Sequence, residues 1–438
     1  MRVCLFLLCE VGYSNYMEYI KVQGNGPLHG EVTVEGAKNS ALKLMAASLM
    51  IEGVTHLRNV PDIADTQVME ELLKALGVTI THPAPHEMLI DATRITSHKA
   101  PYEVVAKMRA STAVLGPLTA RLGKASVALP GGCNIGSRKI DMHLEGLRSL
   151  GAEVDIEHGY INVTTPLDKL VGTDIALDFP SVGATENILM AAALAEGTTI
   201  IDNAAREPEI SDLVDFLCEA GAKITGRGHS HIEIEGVKSL HSVDHAVVGD
   251  RIEAGTFVAA AVIAGGPLTV KGFNPEHLDI VLKKLVSAGA EIDRFEDGVT
   301  VDRKGPLHSV DVQTLPYPGF PTDMQAQFMA LMTIADGAAM ISENVFENRF
   351  MFADEIGRMG ADIRIEGHHA FVKGDTQLSG APVKSTDLRG GAALVLAGLV
   401  ADGETIISDI YHIDRGYQDF CGKLKSVGAH VERINVEE

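Results

Sequence analysis

A phrase that recurs six times along the chain restricts its possible folds more than any other feature. Each copy reads as a helix with an apolar face, then a glycine, a small apolar residue and a strand-like segment. A repeat of this length indicates one supersecondary unit that must stack on its neighbours to bury its apolar face. The glycines of the six copies lie 68 to 74 residues apart and are Gly77, Gly151, Gly221, Gly289, Gly360 and Gly428.

A second phrase has the same period. In it an Ala- or Leu-rich helix is followed by a glycine and a β-branched strand, as in "ALAEGTTII" and "LVADGETII". Each unit therefore reads as helix, glycine, strand, turn and strand, with the glycine at the end of the helix. Six units taken as three plus three predict an α/β fold of two similar domains, although the spacing alone leaves other groupings open. The apolar faces of the helices are broad, so we expect helices inside each domain and sheets outside.

Length and charge limit the possible partners. The chain has 438 residues, too many for one ordinary core, and a formal net charge of -22. Such an acidic protein is not expected to bind nucleic acid or an anionic membrane surface, so a small molecule is the expected partner. Its five cysteines are scattered, which predicts free thiols and a reducing, cytoplasmic location. Beyond the short apolar segment 3–8, no stretch approaches the roughly 20 apolar residues of a membrane span.

Two pairs of histidines could suggest a metal site. His229 and His231 form one pair, and His368 and His369 form the other. Each pair begins eight residues after a repeat glycine, which places it in the hairpin turn of its unit. Because no Cys, Asp or Glu at ligand spacing completes either pair, the sequence predicts no metal ion here.

One glycine-rich stretch, "LPGGCNIGSRK" at residues 129–139, lies between a predicted strand and a predicted helix. A glycine-rich loop before a helix offers backbone N–H groups to an anion, and Arg138 adds a charge that can pair with phosphate or carboxylate. The same positive field would favour the thiolate of Cys133 and make it reactive. A buried structural cysteine is the open alternative.

Further polar residues stand at predicted helix starts or in stiff loops. Lys38 and Asn39 precede an apolar helix, Arg109 lies in a mixed helix, and three prolines stiffen the loop that carries Asp323. Taken singly, an Asp–Arg couplet is a helix cap or a surface ion pair. Taken together, such couplets predict an anion site built from several loops. The three couplets are Asp250–Arg251, Asp387–Arg389 and Asp414–Arg415.

Several segments also carry a resemblance to a known family. They are "GAKNSAL", "MRAS", "LPGGCNIGSRKIDMHLEG", "PSVGATEN", "NAAREPEI", "DRIEAGTF", "FPTDMQAQF", "FENRFM", "TDLRGGAALVLAG" and "YHIDRGY". From about Met17 to the C-terminus, the chain resembles the UDP-N-acetylglucosamine 1-carboxyvinyltransferase family of enolpyruvyl transferases.

The resemblance implies a fold. In that family the chain forms a two-domain inside-out α/β barrel with three units per domain, and the N-terminal strand crosses into the domain of the C-terminal half. We therefore expect an extension at residues 1–16, a catalytic-side domain of residues 17–38 and 250–438, and a second domain of residues 39–249 that carries the Cys133 loop. Whether translation begins at Met1 or Met17 stays open.

A reaction is implied as well. The family transfers the enolpyruvyl group of phosphoenolpyruvate to the 3-hydroxyl of UDP-N-acetylglucosamine and releases phosphate, through a tetrahedral intermediate, as the first committed step of peptidoglycan precursor synthesis. Neither a metal nor an organic cofactor is implied. One alternative is 3-phosphoshikimate 1-carboxyvinyltransferase, whose expected pattern lacks the Gly-Gly-Cys loop and "PTDMQAQF". Another is a catalytically silent protein that binds the sugar nucleotide.

Roles for single residues come from the same resemblance. It implies that Cys133 is the general acid and the thiol that fosfomycin alkylates, and that Asp323 is the candidate base for the sugar hydroxyl. Phosphoenolpyruvate and its departing phosphate are expected to contact Lys38, Arg138, Arg389 and Arg415. The nucleotide sugar is expected to contact Asn39, Arg109, Lys139, Ile140, Asp141, Met142, Ser181, Val182, Gly183 and Val345. Lys139 replaces the proline of the family pattern, so we expect a looser loop with one more cation.

Overall fold

The structure is a computed structural model that describes residues 16–129, 140–166 and 169–437. The glycine-rich loop with Cys133, Arg138 and Lys139 lies outside the described residues, as do residues 1–15. Tyr16, the last residue of the predicted extension, is the first residue of the first strand.

Strands and short helices alternate along the described residues. The strands are Tyr16–Gln23 (β1), Gly30–Thr33 (β2), Val54–Arg58 (β3), Thr79–Thr81 (β4), Met88–Asp91 (β5), Lys99–Ala100 (β6), Lys124–Ala128 (β7), Glu153–Glu157 (β8), Tyr160–Thr164 (β9), Asp174–Ala176 (β10), Thr198–Asp202 (β11), Lys223–Thr225 (β12), His231–Glu235 (β13), Val243–Ala246 (β14), Leu268–Lys271 (β15), Glu291–Phe295 (β16), Gly298–Asp302 (β17), Val312–Gln313 (β18), Ala338–Ser342 (β19), Asp362–Glu366 (β20), His369–Lys373 (β21), Pro382–Lys384 (β22), Glu404–Ser408 (β23) and His430–Glu437 (β24).

The α-helices of the described residues are Lys38–Ala47 (α1), Ala64–Ala75 (α2), Tyr102–Val105 (α3), Leu115–Leu122 (α4), Asp141–Ser149 (α5), Val182–Ala192 (α6), Pro208–Glu219 (α7), Arg251–Ala264 (α8), Asp279–Ser287 (α9), Gln325–Thr333 (α10), Ala353–Arg358 (α11), Leu388–Gly398 (α12), Tyr411–Asp414 (α13) and Phe420–Ser426 (α14). Short 3₁₀ helices are Ser48–Met50, Arg109–Val114, Pro275–Leu278 and Thr322–Met324.

Six four-stranded sheets are formed by the described strands, and all six share one pairing pattern. In the sheet β14–β3–β5–β4, the first pair is parallel and the next two pairs are antiparallel. The same pattern recurs in the other sheets, whose strand orders are β2–β15–β17–β16, β6–β7–β9–β8, β10–β11–β13–β12, β18–β19–β21–β20 and β22–β23–β1–β24.

Helices lie inside and sheets lie outside, as the sequence predicts. Every residue of α10 and α12 is buried, and these helices pack against each other and against α8. The strands instead alternate: in β13, Ile232 and Ile234 are buried while the residues between and beside them are exposed. Helices that are apolar all round require cover on every side, and one-sided sheets supply it.

Two hydrophobic cores form within the described residues. One gathers buried side chains between Ala41 and Val247. The other joins those between Ile20 and Val34 to those between Ile252 and Val431. The predicted α/β class is confirmed, while the domain limits at residues 38 and 250 stay a prediction.

The chain passes between the two cores twice, and the two crossing segments bind each other. Ala37 N donates to Val248 O at 2.6 Å, and Asp250 N donates to Glu35 O at 2.9 Å. Lys38 N donates to the Asp250 side chain at 3.1 Å. As a result, Lys38 and Arg251 each begin a helix directly at a crossing point.

A buried polar network supports this crossing. The Asp212 carboxylate accepts hydrogen bonds from Ser40 Oγ, on α1, and from Val248 N at 3.3 Å. His245 lies between Asp212, at 3.1 Å, and Glu219, at 2.7 Å. Burial favours the neutral ring, but the hydrogen bonds and charges of the two carboxylates outweigh it and raise the pKa of His245. Asp212, on α7, therefore joins α1 through Ser40, β14 through His245 and the second crossing segment through Val248.

The six repeat glycines each stand two residues after the last residue of a helix, with φ between 90° and 107°. Gly77 has a second constraint. A Cβ atom there would lie 2.8 Å from Thr96 N, which itself donates to Leu76 O at 2.9 Å. At Gly151 a Cβ atom would meet nothing within 4 Å. The prediction that glycine ends these helices is confirmed.

Among the residues that the structure describes, no helix combines the length and the apolar character needed to cross a membrane.

The two glycines allow a matched test of this constraint. Gly151→Ala should lower the free energy of unfolding by about 1–2 kcal/mol, because alanine disfavours positive φ. Gly77→Ala should cost roughly 1–3 kcal/mol more, because its methyl group also meets backbone that cannot move away. Urea unfolding followed by circular dichroism compares the two, since both residues belong to one core. Equal losses would show that only the backbone angle matters at Gly77.

The His245 network makes stability depend on pH. Its pKa is raised above the ordinary 6.5, so the stabilisation is complete below that pH and is lost as pH rises through the folded-state pKa. His245→Gln should therefore cost roughly 2 kcal/mol near pH 6 and less near pH 9. Urea midpoints over this range measure the difference. The control is His231→Gln, because His231 contacts Asp202 on the exposed face of a sheet. A pH dependence as large in that variant would show that the contacts of His245 with Asp212 and Glu219 are not its cause.

Candidate functional site

A cavity of about 640 Å³ lies between the two cores and draws its lining from both. Cys133, Arg138 and Lys139 lie outside the described residues. Each of the other predicted site residues lines the cavity: Lys38, Asn39, Arg109, Ile140, Asp141, Met142, Ser181, Val182, Gly183, Asp323, Val345, Arg389 and Arg415. The structure thus brings these residues together, while their individual roles stay predictions.

The first charged cluster is centred on Asp65, the second residue of α2. Its carboxylate lies 2.7 Å from Lys38 Nζ. Arg415, from the other core, reaches the same carboxylate with Nε at 2.9 Å and Nη2 at 3.3 Å. One buried carboxylate therefore joins two cations that come from opposite sides of the cavity.

Burial and charge oppose each other in this cluster. Burial lowers the pKa of Lys38, the nearby guanidinium groups of Arg415 and Arg389 lower it further, and Asp65 acts in the opposite direction. For Asp65, burial would raise the pKa, but Lys38 and Arg415 outweigh it and the pKa is lowered. An anion bound beside Lys38 would favour its charged form, because it would add a second negative partner.

The second charged cluster is centred on Asp323, which follows Pro321 in a 3₁₀ turn at the start of α10. Arg349 Nη2 lies 2.7 Å from one carboxylate oxygen. Arg389 contacts the other with Nη2 at 3.0 Å and Nε at 3.3 Å. Burial alone would raise the pKa of Asp323, but the charges of Arg389 and Arg349 hold it well below its usual range. Asp323 is therefore ionised in this state.

In two of the Asp–Arg couplets the aspartate caps a helix and the arginine lines the cavity. Asp387 caps α12 by accepting from Arg389 N at 2.9 Å and Gly390 N at 3.0 Å. Asp250 likewise caps α8, and Arg251 then reaches Glu209 at 3.0 Å and 3.2 Å. The cap fixes the first turn of the helix, so the arginine that follows is aimed at the cavity.

The third couplet behaves differently, because its two members have separate partners. Asp414 pairs with Arg433 at 2.6 Å, on the surface, while Arg415 pairs with Asp65 inside the cavity.

Arg389 is held by packing as well as by charge. Its side chain is 2% exposed, and the guanidinium lies 5.3 Å from the centre of the Tyr417 ring. The Tyr417 hydroxyl lies 2.9 Å from Thr256 Oγ1, and Gln327 Nε2 donates to it at 3.4 Å. A guanidinium fixed in this way needs little reorganisation to bind an anion.

The opposite wall is built on the start of α6. Ser181 caps this helix by accepting from Ala184 N at 3.3 Å. A Cβ atom at Gly183 would lie 2.9 Å from His143 Cε1, so glycine allows the two elements to approach. Burial and the charges of Lys43 and Arg109 lower the pKa of His143 to about 4. Nδ1 of its neutral ring accepts a hydrogen bond from Asn187 Nδ2 at 3.0 Å, so the ring carries its proton on Nε2.

Several charged residues of the cavity were not predicted. They are Lys43, Asp65, Glu186, Glu207, Glu209, Glu347 and Arg349. Burial raises the pKa values of Glu186, which pairs with Lys43, and of Glu207. A signal existed for Glu207 and Glu209 within "NAAREPEI" and for Arg349 within "FENRFM". Glu186 likewise stands within "PSVGATEN". Lys43 and Asp65 stand in segments where spacing alone gives no sign of a partner.

Metal ligands are not gathered anywhere in the described part of the chain: no group of three or more His, Cys, Asp or Glu side chains is arranged to hold an ion. His231 instead contacts Asp202 at 2.7 Å, and His369 hydrogen-bonds Ser342 at 2.8 Å. Four cations of the cavity are held against carboxylates, Lys38 and Arg415 against Asp65 and Arg349 and Arg389 against Asp323. This arrangement suits an anionic ligand that carries more than one acid group.

Known proteins of similar sequence and structure form one group. A family model described as EPSP synthase (3-phosphoshikimate 1-carboxyvinyltransferase) matches residues 22–424. A protein of Carboxydothermus hydrogenoformans named UDP-N-acetylglucosamine 1-carboxyvinyltransferase 2 is 52% identical over 96% of this chain and 100% of its own length. A protein of Granulibacter bethesdensis named UDP-N-acetylglucosamine 1-carboxyvinyltransferase is 50% identical, with 96% and 100% coverage.

Solved structures agree with the sequence relatives. The enolpyruvyl transferase NikO from Streptomyces tendae superposes with a TM-score of 0.86 at 26% identity, and covers 96% of this chain and 100% of its own. EPSP synthase from Acinetobacter baumannii shares the fold, with a TM-score of 0.74, 18% identity and coverage of 95% and 100%. The predicted enolpyruvyl transferase fold is confirmed, and the chain belongs to the EPSP synthase family.

Proposed function

We propose that the chain transfers the enolpyruvyl group of phosphoenolpyruvate to the 3-hydroxyl of UDP-N-acetylglucosamine and releases phosphate, the first committed step of peptidoglycan precursor synthesis. The observation that carries the proposal is the pair of cation clusters around Asp65 and Asp323, which face one cavity. The choice of acceptor is supported by relatives of 50–52% identity that are named for this acceptor.

Phosphoenolpyruvate carries a phosphate and a carboxylate, so it needs several cations in a small space. Lys38, Arg389 and Arg415 meet this need, because they line the cavity from both cores and are already oriented by Asp65 and Asp323. In the proposed complex the acid groups of the substrate take over some of the contacts that these cations make with Asp65 and Asp323. The departing phosphate remains among the same cations, which stabilises it as it leaves.

Asp323 is the proposed partner of the attacking hydroxyl. Two arginines hold its pKa below the usual range, which keeps the carboxylate ionised and able to accept a hydrogen bond. It is a weak base while both arginines contact it. We propose that the hydroxyl gives up its proton to Asp323 only as its oxygen bonds to the central carbon of phosphoenolpyruvate, when the proton becomes far more acidic.

Cys133 is the proposed acid. Its thiol proton would pass to the methylene carbon as the hydroxyl oxygen attacks, and this gives the tetrahedral intermediate. The Cys133 thiolate then takes a proton back from the new methyl group as phosphate leaves the central carbon, and this forms the enolpyruvyl ether. Arg138, in the same glycine-rich stretch, is proposed to add a further cation at the phosphate.

Binding of the nucleotide sugar is proposed for the remaining predicted residues, which lie along the walls of the cavity, with Lys139 near the diphosphate. They are Asn39, Arg109, Ile140, Asp141, Met142, Ser181, Val182, Gly183 and Val345. No metal or organic cofactor is proposed, because side-chain cations supply the needed charge. A cytoplasmic location is supported by the free thiols of Cys218 and Cys421.

The acceptor is the first point to test. With phosphoenolpyruvate present, the protein should release phosphate with UDP-N-acetylglucosamine and not with shikimate 3-phosphate or without an acceptor. Colorimetric phosphate assays of the three reactions measure this. Release with shikimate 3-phosphate would replace the proposed acceptor, and no release with either acceptor would favour a silent binding protein.

The same assay tests the proposed acid when Cys133→Ser is measured beside wild type. Phosphate release should fall at least about 100-fold, because general acid catalysis typically contributes this much. Mass spectrometry after fosfomycin treatment should show an adduct on wild type and on Cys218→Ser, but not on Cys133→Ser. Cys218→Ser is the control, since Cys218 is exposed and outside the cavity. An active Cys133→Ser would remove this residue from the acid role.

Lys38→Met tests the cation cluster. It should lower kcat roughly 100- to 1,000-fold, because a fixed charge that stabilises the transition state is lost. Lys74→Met is the matched control, because Lys74 is half exposed and pairs with Glu70 on the surface. Steady-state kinetics with both substrates compare the variants. A kcat near the wild-type value in Lys38→Met would contradict the placement of phosphoenolpyruvate beside Lys38.

A further inference from the structure

We propose that Glu343 is a positioning residue for this reaction. Its single buried carboxylate sets both the backbone at Val345, on the acceptor side of the cavity, and the Arg349–Asp323 pair at the attacking hydroxyl. This inference rests on the proposed function for the identity of the acceptor.

Glu343 follows β19 directly and is 2% exposed. One of its oxygens, Oε1, accepts three hydrogen bonds: from Thr314 Oγ1 at 2.9 Å, from Val345 N at 2.9 Å and from Phe346 N at 3.1 Å. The carboxylate therefore fixes the backbone at the start of the loop 344–350. Val345, Phe346 and Arg349 of this loop all line the cavity.

The other oxygen of Glu343 reaches the Asp323 cluster. Oε2 accepts a hydrogen bond from Thr322 Oγ1 at 2.8 Å. The same hydroxyl accepts from Arg349 Nη1 at 2.9 Å, and Arg349 Nη2 donates to Asp323 at 2.7 Å. A continuous chain of hydrogen bonds thus runs from Glu343 through Thr322 and Arg349 to the carboxylate that faces the attacking hydroxyl.

A second contact joins the two arms. The Arg349 guanidinium lies 5.3 Å from the centre of the Phe346 ring, and the backbone N–H of Phe346 is bound to Glu343. Arg349 is 6% exposed, so it cannot move without disturbing either the ring or Thr322. Displacement of Glu343 would therefore shift both the backbone at Val345 and the Arg349–Asp323 pair.

Glutamine cannot replace this glutamate, although it has the same shape. If its NH₂ group takes the Oε1 position, it faces the N–H groups of Val345 and Phe346, and donors oppose donors. If it takes the Oε2 position, it donates to a Thr322 hydroxyl that already accepts from Arg349, and the hydroxyl proton loses its acceptor. Either orientation leaves a part-buried donor without a partner, which is costly.

The test is a kinetic comparison of Glu343→Gln with wild type. We expect kcat to fall at least about 10-fold and KM for UDP-N-acetylglucosamine to rise at least about 5-fold, while KM for phosphoenolpyruvate changes less than about 2-fold. Glu366→Gln, in the same sheet unit but exposed, is the control and should match wild type. Unchanged constants in Glu343→Gln, or equal rises of both KM values, would overturn the proposal.

Thr322→Val separates the two arms, and it also serves if Glu343→Gln fails to fold. It removes the link to Arg349 and leaves the bonds to Val345 and Phe346. Thr322→Val should lower kcat at least about 5-fold with KM for the nucleotide sugar near wild type. A rise of that KM with unchanged kcat would overturn the proposed division of roles.

Hydrogen exchange provides a readout that does not depend on the reaction. In Glu343→Gln, or in Glu343→Ala if the glutamine variant does not fold, the amides of residues 345 and 346 should exchange at least about 10-fold faster than in wild type. Other amides of the same core should keep their rates. If wild type lacks the transferase activity but the Glu343 variant still exchanges these amides faster, the proposed function alone is refuted. If exchange in the variant equals that in wild type, the role of Glu343 is refuted.

Discussion

The hydrogen bonds between the two crossing segments are the constraint on which the rest of the structure depends. Segments 35–38 and 247–250 bind each other between two cores that otherwise have separate apolar interiors. Each segment ends where a helix begins, so Lys38 and Arg251 are placed by backbone geometry before any side-chain contact is made. The cavity between the cores therefore has two of its cations at positions where the chain itself cannot move far.

Charge in the cavity is balanced rather than minimised. Burying a cation without a partner is expensive, and each of the two clusters lowers that cost with a carboxylate that touches two cations. The carboxylates come from α2 and from the turn before α10, so both cores contribute to the balance. A bound anion can share these cations without any of them having to be desolvated afresh, an arrangement that would favour a doubly acidic ligand such as the proposed substrate.

Periodicity and local chemistry predicted much of this structure. The spacing of glycines predicted six helix ends, and the Asp–Arg couplets predicted an anion site built from several loops. The family resemblance, rather than any local signal, led us to expect Arg389 and Asp323 in one site. Contacts between residues that lie far apart in the chain could not be predicted. Asp65 and Arg415 are 350 positions apart in the chain, and Glu343 acts through Thr322, so neither relation leaves a local pattern. Sequence reasoning finds residues whose neighbours are close in the chain, and misses those whose neighbours are brought by the fold.

The pairing of β1 has a consequence for synthesis on the ribosome. Of the described strands, β1 is made first and lies between β23 and β24, which are made last, and β2 pairs with β15. The core of residues 41–247 can form as soon as β14 has been made, whereas β1 must wait for nearly the whole chain with both edges unpaired. During that interval the unpaired edges of β1 are available for pairing with strands of other chains. The core that contains β1 is therefore the later of the two to be completed.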